Sequence, residues 1–332
     1  MNFPQLMSLA TGHVEARIVQ TAVDLAIFDA LESSARTAED IASHLELEVR
    51  ATESLLNALA ALKLLDKDAD RFSIVHEVKP YLLTSSSRYI GGMIRFESSL
   101  WHCWEQLPEA IRSGKPVRSP NMYQDDPDET EIFIGAMDSL VKARGDSDVV
   151  ASVLNWDDVG ELLDLGSGPA TYPIALCKKF PKLTVTIFDL PGTVGITARY
   201  VREAAMQERI KLVAGDYRVE PIPGSYDVIF LSNIIHGEGF DENRELIHKL
   251  YANLKAGGRL IIKDHILDET GANPPVGAIF SLLMLLTTAS GRCYTFGEIS
   301  SWMADAGLIR VQQIELSPPL TSSLVVGIKE LA

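Results

Sequence analysis

Basic residues are scarce in this chain: 30 lysines and arginines face 45 aspartates and glutamates, for a net charge of −15. So acidic a surface repels phosphate backbones and anionic lipid, which argues against nucleic-acid and membrane partners and favours a neutral or cationic small ligand. Cysteine is scarcer still. Cys103, Cys177 and Cys293 are odd in number, far apart and without a CxxC spacing, so neither a disulfide framework nor a zinc or other metal site is expected. The start, "MNFPQLMSLATGHVEARIVQ", lacks a basic segment followed by an apolar run, and the expected location is the cytoplasm. Long apolar runs are missing too. The charge-free stretch "GANPPVGAIFSLLMLLTTASG" (271–291) has an apolar centre, Ala278 to Leu286, well short of the ~20 residues a bilayer needs, so it reads as a buried core helix.

Apolar residues make up 46% and charged residues 23% of 332, the profile of a globular protein long enough for two domains. The first ~95 residues read as helices. "EARIVQTAVDLAIFDALE" places Ile18, Val19, Ala22, Leu25, Ala26 and Phe28 near one helical face, and Thr37 with Asp40 three residues on resembles a capping box. "RATESLLNALAALKLL" adds a helix with Leu55, Leu59 and Leu62 on one side, and "LLDKDADRFSIV" reads as two short strands around an acidic turn. Three helices and a β-wing are the order of a winged-helix unit. Charge argues against DNA reading: residues 1–95 hold nine Lys plus Arg against thirteen Asp plus Glu. Pairing of two chains is the better use of such a unit.

A helical stretch, 96–155, connects this domain (1–95) to a third segment, 156–332. There, "ELLDLG", "LTVTIFDL", "IKLVAGD", "YDVIFLSN" and "RLIIKDHIL" alternate with helix-like stretches, the pattern of a parallel α/β sheet, and "LIRVQQIEL" and "SSLVVGIKE" close the chain as strands. The first strand runs into Gly166-Ser-Gly168, where glycine lets the backbone approach a ligand closely. Thr171 stands where the third glycine of a dinucleotide fingerprint belongs, which weakens an NAD reading. Asp164, Asp189 and Asp216 fall at three successive strand ends, in register. Asp189 is placed to accept from ribose hydroxyls and Asp216 from an adenine amino group.

The fourth strand delivers "SNIIHGEGF", with His236 at the same sheet edge. Alone, a strand-end histidine is more often a hydrogen-bonded structural residue than a catalyst. Asp264, ending the fifth strand, is positioned to fix its tautomer and leave the other ring nitrogen as a base; the plainer alternative makes Asp264 a surface acid beside Lys263. Phe280 and Met284 on "AIFSLLMLL", with Met137 and Trp101, are candidates for an acceptor pocket, plain core packing being the alternative. Cys293 has no activating base in sight and reads as a pocket or core residue.

Taken in order, "TAVDLAIFDAL", "WEQLPEAIRSGKP", "LLDLGSGPA", "FDLPG", "GDY", "SNIIHGEGFDEN", "GGRLIIKDHIL" and "FGEISSWMADAGL" resemble the small-molecule O-methyltransferases of the caffeate and acetylserotonin type. The resemblance implies a winged-helix dimerisation domain, a homodimer, and a Rossmann-like domain binding S-adenosylmethionine. It implies a cofactor site of Asp164, Gly166, Gly168, Asp189, Leu190, Gly215, Asp216, Tyr217, Ser232 and Asn233. It places His236 as the base, flanked by Asp264, acting on a hydroxyl of a small aromatic, quinone-like or polyketide-like acceptor. Ala170, Gly237-Glu238 and Cys293 depart from the usual pattern, standing for a glycine, an Asp-Trp pair and a second acid. A non-methylating relative of decarboxylase, hydroxylase or pericyclase type stays open, as does a winged-helix ligand-sensing regulator.

Overall fold

The structure is a computed structural model that describes residues 1–331. The chain divides into two units, one of Met1–Trp101 with Gly135–Ala143, the other of His102–Ile134 with the chain from Arg144 onward.

In the first unit, helices α1 (Phe3–Asp24), α2 (Ala38–Leu45) and α3 (Val49–Ala61) accompany an antiparallel sheet of β1 (Arg36–Thr37), β2 (Leu65–Asp68) and β3 (Arg71–Ile74) in the order β1-β3-β2. The capping box at the start of α2 is present: the Asp40 N–H donates to Thr37 Oγ1 at 3.1 Å and the Thr37 N–H to Asp40 Oδ2 at 3.2 Å. The helix expected through residue 28 is broken. Ala26 turns left-handed at φ +55, so α1 ends at Asp24; Ile27 and Phe28 enter the core while Leu25 is left outside. On α3 the buried stripe is Thr52, Leu56 and Leu59, not the Leu55-Leu59-Leu62 line, because the helix lays its 52–56–59 face on the core.

The second unit holds all seven strands read from the sequence: β4 (Glu161–Leu165), β5 (Thr184–Asp189), β6 (Ile210–Ala214), β7 (Tyr226–Ser232), β8 (Leu254–Asp264), β9 (Leu308–Glu315) and β10 (Ser323–Lys329). Their order is β6-β5-β4-β7-β8-β10-β9, with β4 to β8 parallel and β10 antiparallel to both neighbours. From β4 the chain winds outward to β5 and β6, then crosses back to β7 and β8. The C-terminal ends of β4 and β7 therefore flank the point where the order reverses, the crevice where sheets of this kind bind ligands.

The longer helices from residue 127 onward are Pro127–Arg144 (α4), Asp146–Val153 (α5), Thr171–Lys179 (α6), Pro191–Glu203 (α7), Phe240–Ala252 (α8), Pro275–Thr287 (α9) and Phe296–Asp305 (α10). Leu163, Leu165, Ile229, Leu231 and Ile262 from the central strands pack with Leu246, Leu250, Trp302 and Met303 in one buried cluster. Helix α9 is only partly the buried helix its composition suggests: Leu283, Met284 and Leu286 are buried, but Ile279 is 60% exposed. Among the described residues no helix is long and apolar enough to cross a membrane.

Candidate active site at the sheet edge

The loop after β4 is built for close approach. Gly166 and Gly168 adopt φ +66 and +59, backbone that side chains disfavour, and a Cβ on Gly166 would lie 2.4 Å from Ile234 Cδ1. Ala170 takes the same left-handed conformation at φ +59 as the residue before α6, so the glycine-like backbone survives without the glycine. The loop is tied to the next strand: the Gly168 N–H donates to Asp189 Oδ2 at 2.8 Å, and the Leu190 N–H to Asp189 Oδ1 at 2.8 Å.

The three acids are not in register. Asp164 pairs across from Ile187 and Asp189 across from Ala214, so each acid lies two residues farther along its strand than the last, and the row is stepped. Their environments also differ. Burial pushes the Asp164 carboxyl up to about 7, against the lowering effect of the Ser167 hydroxyl, and its Oδ2 has no partner. Burial likewise pushes Asp189 up to about 6, the two backbone N–H groups opposing it. Asp216 is held below the ordinary carboxylate range by Arg218, whose Nε lies 2.9 and 3.1 Å from the two carboxyl oxygens. An adenine amino group would share Asp216 with that guanidinium.

Ser232 ends β7, and Asn233 follows at φ +58 with its N–H donating to Lys263 O at 2.7 Å. Gly215 N–H donates to Asp189 O at 2.9 Å, and a Cβ there would strike the Phe188 ring.

A short 3-10 turn, Ile235–Gly237, then presents His236. His236 Nδ1 lies 2.8 Å from Asp264 Oδ1, and both side chains are buried. Burial alone would raise the Asp264 carboxyl; its contacts with His236 and His265 outweigh that and hold it below its ordinary range. An ionised carboxylate only accepts, so Nδ1 carries a hydrogen and Nε2 is the nitrogen that Asp264 does not engage. Asp264 is thus no surface acid, and Lys263 is fully buried too: β8 is a central strand covered on both faces, and the Lys263 ammonium sits 3.1 Å from the buried Asp146 carboxylate.

The turn itself is anchored by residues that the sequence reading passed over. Asn243, fully buried on α8, donates to Ile235 O at 2.8 Å and Glu238 O at 3.3 Å, and the Tyr294 hydroxyl donates to Glu238 O at 2.6 Å. The Glu238 carboxylate accepts from the Tyr217 hydroxyl at 2.8 Å, so the residue departing from the family pattern is bonded to a residue of the expected cofactor site. The signal available was Asn243, the last residue of "SNIIHGEGFDEN".

Of the expected pocket residues, Phe280 reaches His236, edge-on at 4.8 Å between ring centroids. Met284 is buried one turn along α9. Cys293 is buried, and burial together with the Asp264 charge pushes its thiol up to about 12, so it stays protonated and is no nucleophile. Trp101 and Met137 lie in the first unit, where the Trp101 indole N–H donates to Gln20 Oε1 at 2.6 Å. Among the described residues no group of three or more His, Cys, Asp or Glu side chains is placed to hold a metal.

This architecture has relatives. A family model described as the O-methyltransferase domain matches residues 104–309, and one described as the O-methyltransferase dimerisation domain matches residues 7–89. A 3-hydroxy-5-methyl-1-naphthoate 3-O-methyltransferase of Streptomyces sahachiroi is 29% identical over 98% of this chain and 94% of that protein. The tetracenomycin polyketide synthesis 8-O-methyl transferase TcmO of Streptomyces glaucescens is 28% identical over 98% of this chain and 96% of its own length. Among solved structures, PigF with SAH, from a Serratia species, superposes with a TM-score of 0.90 at 24% identity, covering 99% of this chain and 100% of that one, a likeness of fold.

Proposed function

The chain belongs to the O-methyltransferase family, and from that premise we propose that it methylates a hydroxyl of a small aromatic, quinone-like or polyketide-type molecule, with S-adenosylmethionine as donor and His236 as general base. The observation that carries the base assignment is the buried His236–Asp264 pair at the crevice edge. The two Streptomyces relatives, named for a naphthoate and a tetracenomycin, support the acceptor class.

The residues present suit the donor. Asp164 keeps a buried carboxyl oxygen without a partner, and Gly166 and Gly168 hold a left-handed backbone that bears no side chain of its own. On this reading Gly166, Gly168 and Asp164 hold the methionine end, Asp189 accepts from the ribose, and Leu190, Gly215, Asp216, Tyr217, Ser232 and Asn233 frame the rest. Bound there, S-adenosylmethionine supplies a methyl group on a sulfonium, an electrophile with a neutral thioether as leaving group.

The chain's own residues then do three things. Binding the acceptor hydroxyl against a fixed edge replaces a chance encounter with a held geometry, worth up to about 7–11 kcal/mol in well-oriented systems. Nε2 of His236 takes the hydroxyl proton, a contribution of about 10²–10⁴-fold. Asp264 keeps the tautomer that leaves Nε2 bare and stabilises the imidazolium once the proton has moved. Phe280 and the neutral Cys293 add apolar surface beside the pair, limiting competition from water. The match at residues 7–89, with Phe3, Leu6 and Leu9 exposed on α1, supports assembly as a homodimer through the first unit.

The direct experiment incubates the protein with S-adenosylmethionine and a panel of hydroxylated naphthalenes and quinones, following S-adenosylhomocysteine and a product one methylene heavier. Product without that mass increase would favour the non-methylating reading instead.

A further inference from the structure

His265 follows Asp264 at the end of β8, and methyl transfer as described makes no use of it. Its Nδ1 lies 2.9 Å from the Thr321 carbonyl oxygen. A carbonyl oxygen only accepts, so Nδ1 carries the hydrogen. Burial lowers the affinity of the ring for a second proton, against the attraction of the Asp264 charge, and the ring stays neutral. Nε2 is then the ring's acceptor, on a residue that is only partly buried.

His236 likewise engages its Nδ1, with Asp264, and the two rings share neighbours. Asp264 Oδ1 accepts from His236 Nδ1 at 2.8 Å and from the His265 backbone N–H at 2.8 Å. The Phe280 ring lies 4.8 Å from the His236 ring and 5.1 Å from the His265 ring, centroid to centroid. One carboxylate and one aromatic ring therefore hold two imidazoles, each with its Nδ1 engaged and its Nε2 on the other side of the ring. The Nε2 of His265 is available to accept from a donor on a ligand. It is not a second base: its Nδ1 meets a neutral carbonyl where His236 meets a carboxylate, so an imidazolium there would have no equivalent support.

We propose that His265 is a substrate-binding, specificity-determining residue whose Nε2 accepts a hydrogen bond from a second hydroxyl of the acceptor, so that the site selects planar aromatic diols over their monohydroxy counterparts. The proposal rests on the methyl-transfer reading for its ligand, but it concerns binding, and no bond is made or broken at His265.

The test titrates the full-length protein, with S-adenosylhomocysteine bound, with isomeric dihydroxynaphthalenes and with the matching naphthols by calorimetry. The wild-type protein should bind its best diol about three- to tenfold more tightly than the naphthol, the value of one net hydrogen bond. His265→Phe keeps a ring against Phe280 and removes the acceptor; it should bring that ratio to about one with naphthol affinity unchanged, and His265→Gln should restore part of it. If the phenylalanine variant does not fold, His265→Asn serves, since its amide can donate to Thr321 but does not extend to the Nε2 position. A wild-type ratio near one, no diol binding by the wild-type protein, or a diol preference that persists in His265→Phe or His265→Asn overturns the proposal. Following S-adenosylhomocysteine formation with the same probes separates the two readings. Diol preference without any methyl transfer removes the transferase reading and leaves the subsite; transfer without diol preference does the opposite.

Discussion

His236 Nδ1 and Asp264 Oδ1 stand 2.8 Å apart, from the ends of two adjacent parallel strands, with both side chains out of water. Everything asked of Asp264 in the chemistry passes through that contact. Asp264→Asn should therefore lower the rate, and the His236→Ala, Asp264→Asn double variant should lose no more than about tenfold beyond His236→Ala alone, because groups acting as a unit are not additive. Multiplicative losses in steady-state assays of the three proteins would mean that Asp264 acts elsewhere.

Gly166→Ala should weaken cofactor binding while leaving the fold. Its Cβ would sit 2.4 Å from Ile234 Cδ1, and its φ of +66 would cost about 1 kcal/mol for a non-glycine residue. Calorimetry with S-adenosylhomocysteine reads the loss, and unchanged affinity would remove the glycine loop from the site.

The buried acids predict a pH effect with a definite sign. Asp164 and Asp189 rise from 3.8 to about 7 and about 6 on folding, so the folded chain binds more protons than the unfolded one between about pH 4 and 7. Their contribution to stability is present below the unfolded value and is lost as pH rises through the folded values. Carboxyls held low, such as Asp216 and Asp264, are ionised in both states above pH ~5 and do not mask it. Burial of His265 lowers its ring from 6.5 and opposes them below that value, so the melting temperature of the free protein should fall between about pH 6.5 and 8. Binding of S-adenosylhomocysteine at pH ~6 should release on the order of one proton, seen as a buffer-dependent heat that fades by pH ~8.5. A buffer-independent heat at both values would contradict the assignment of these acids to the ligand.

Asn243→Ala tests the anchor under the turn that carries His236. It removes both donors to the Ile235 and Glu238 carbonyls at a fully buried site, and should cost about 1–3 kcal/mol in denaturant unfolding. A change below about 0.5 kcal/mol would make the turn self-supporting.

Much of this was legible in the sequence because it is periodic or local. Alternating apolar runs specified seven strands, and Thr37-Asp40 specified a helix start. Strand ends in a parallel sheet share an edge, which is enough to bring His236 toward Asp264. What escaped depends on stagger, on local breaks and on side-chain partners. Strand pairing steps Asp164, Asp189 and Asp216 by two residues, and no periodicity encodes it. Ala26 breaks a helix with good apolar spacing because its backbone turns left-handed. Arg218 closes on Asp216, Tyr217 on Glu238 and His265 on Thr321, the last pair 56 residues apart in the chain. Lys263 looked exposed because charge suggests surface, yet β10 pairs along β8 and a buried acid on α5 faces the ammonium.

The central claim is that His236 removes the proton from the acceptor, and its measurement is single-turnover methyl transfer by His236→Ala against the wild-type protein, using the acceptor found in the panel. The account predicts a rate lower by about 10²–10⁴-fold with S-adenosylhomocysteine affinity unchanged; a loss of less than about tenfold would contradict it.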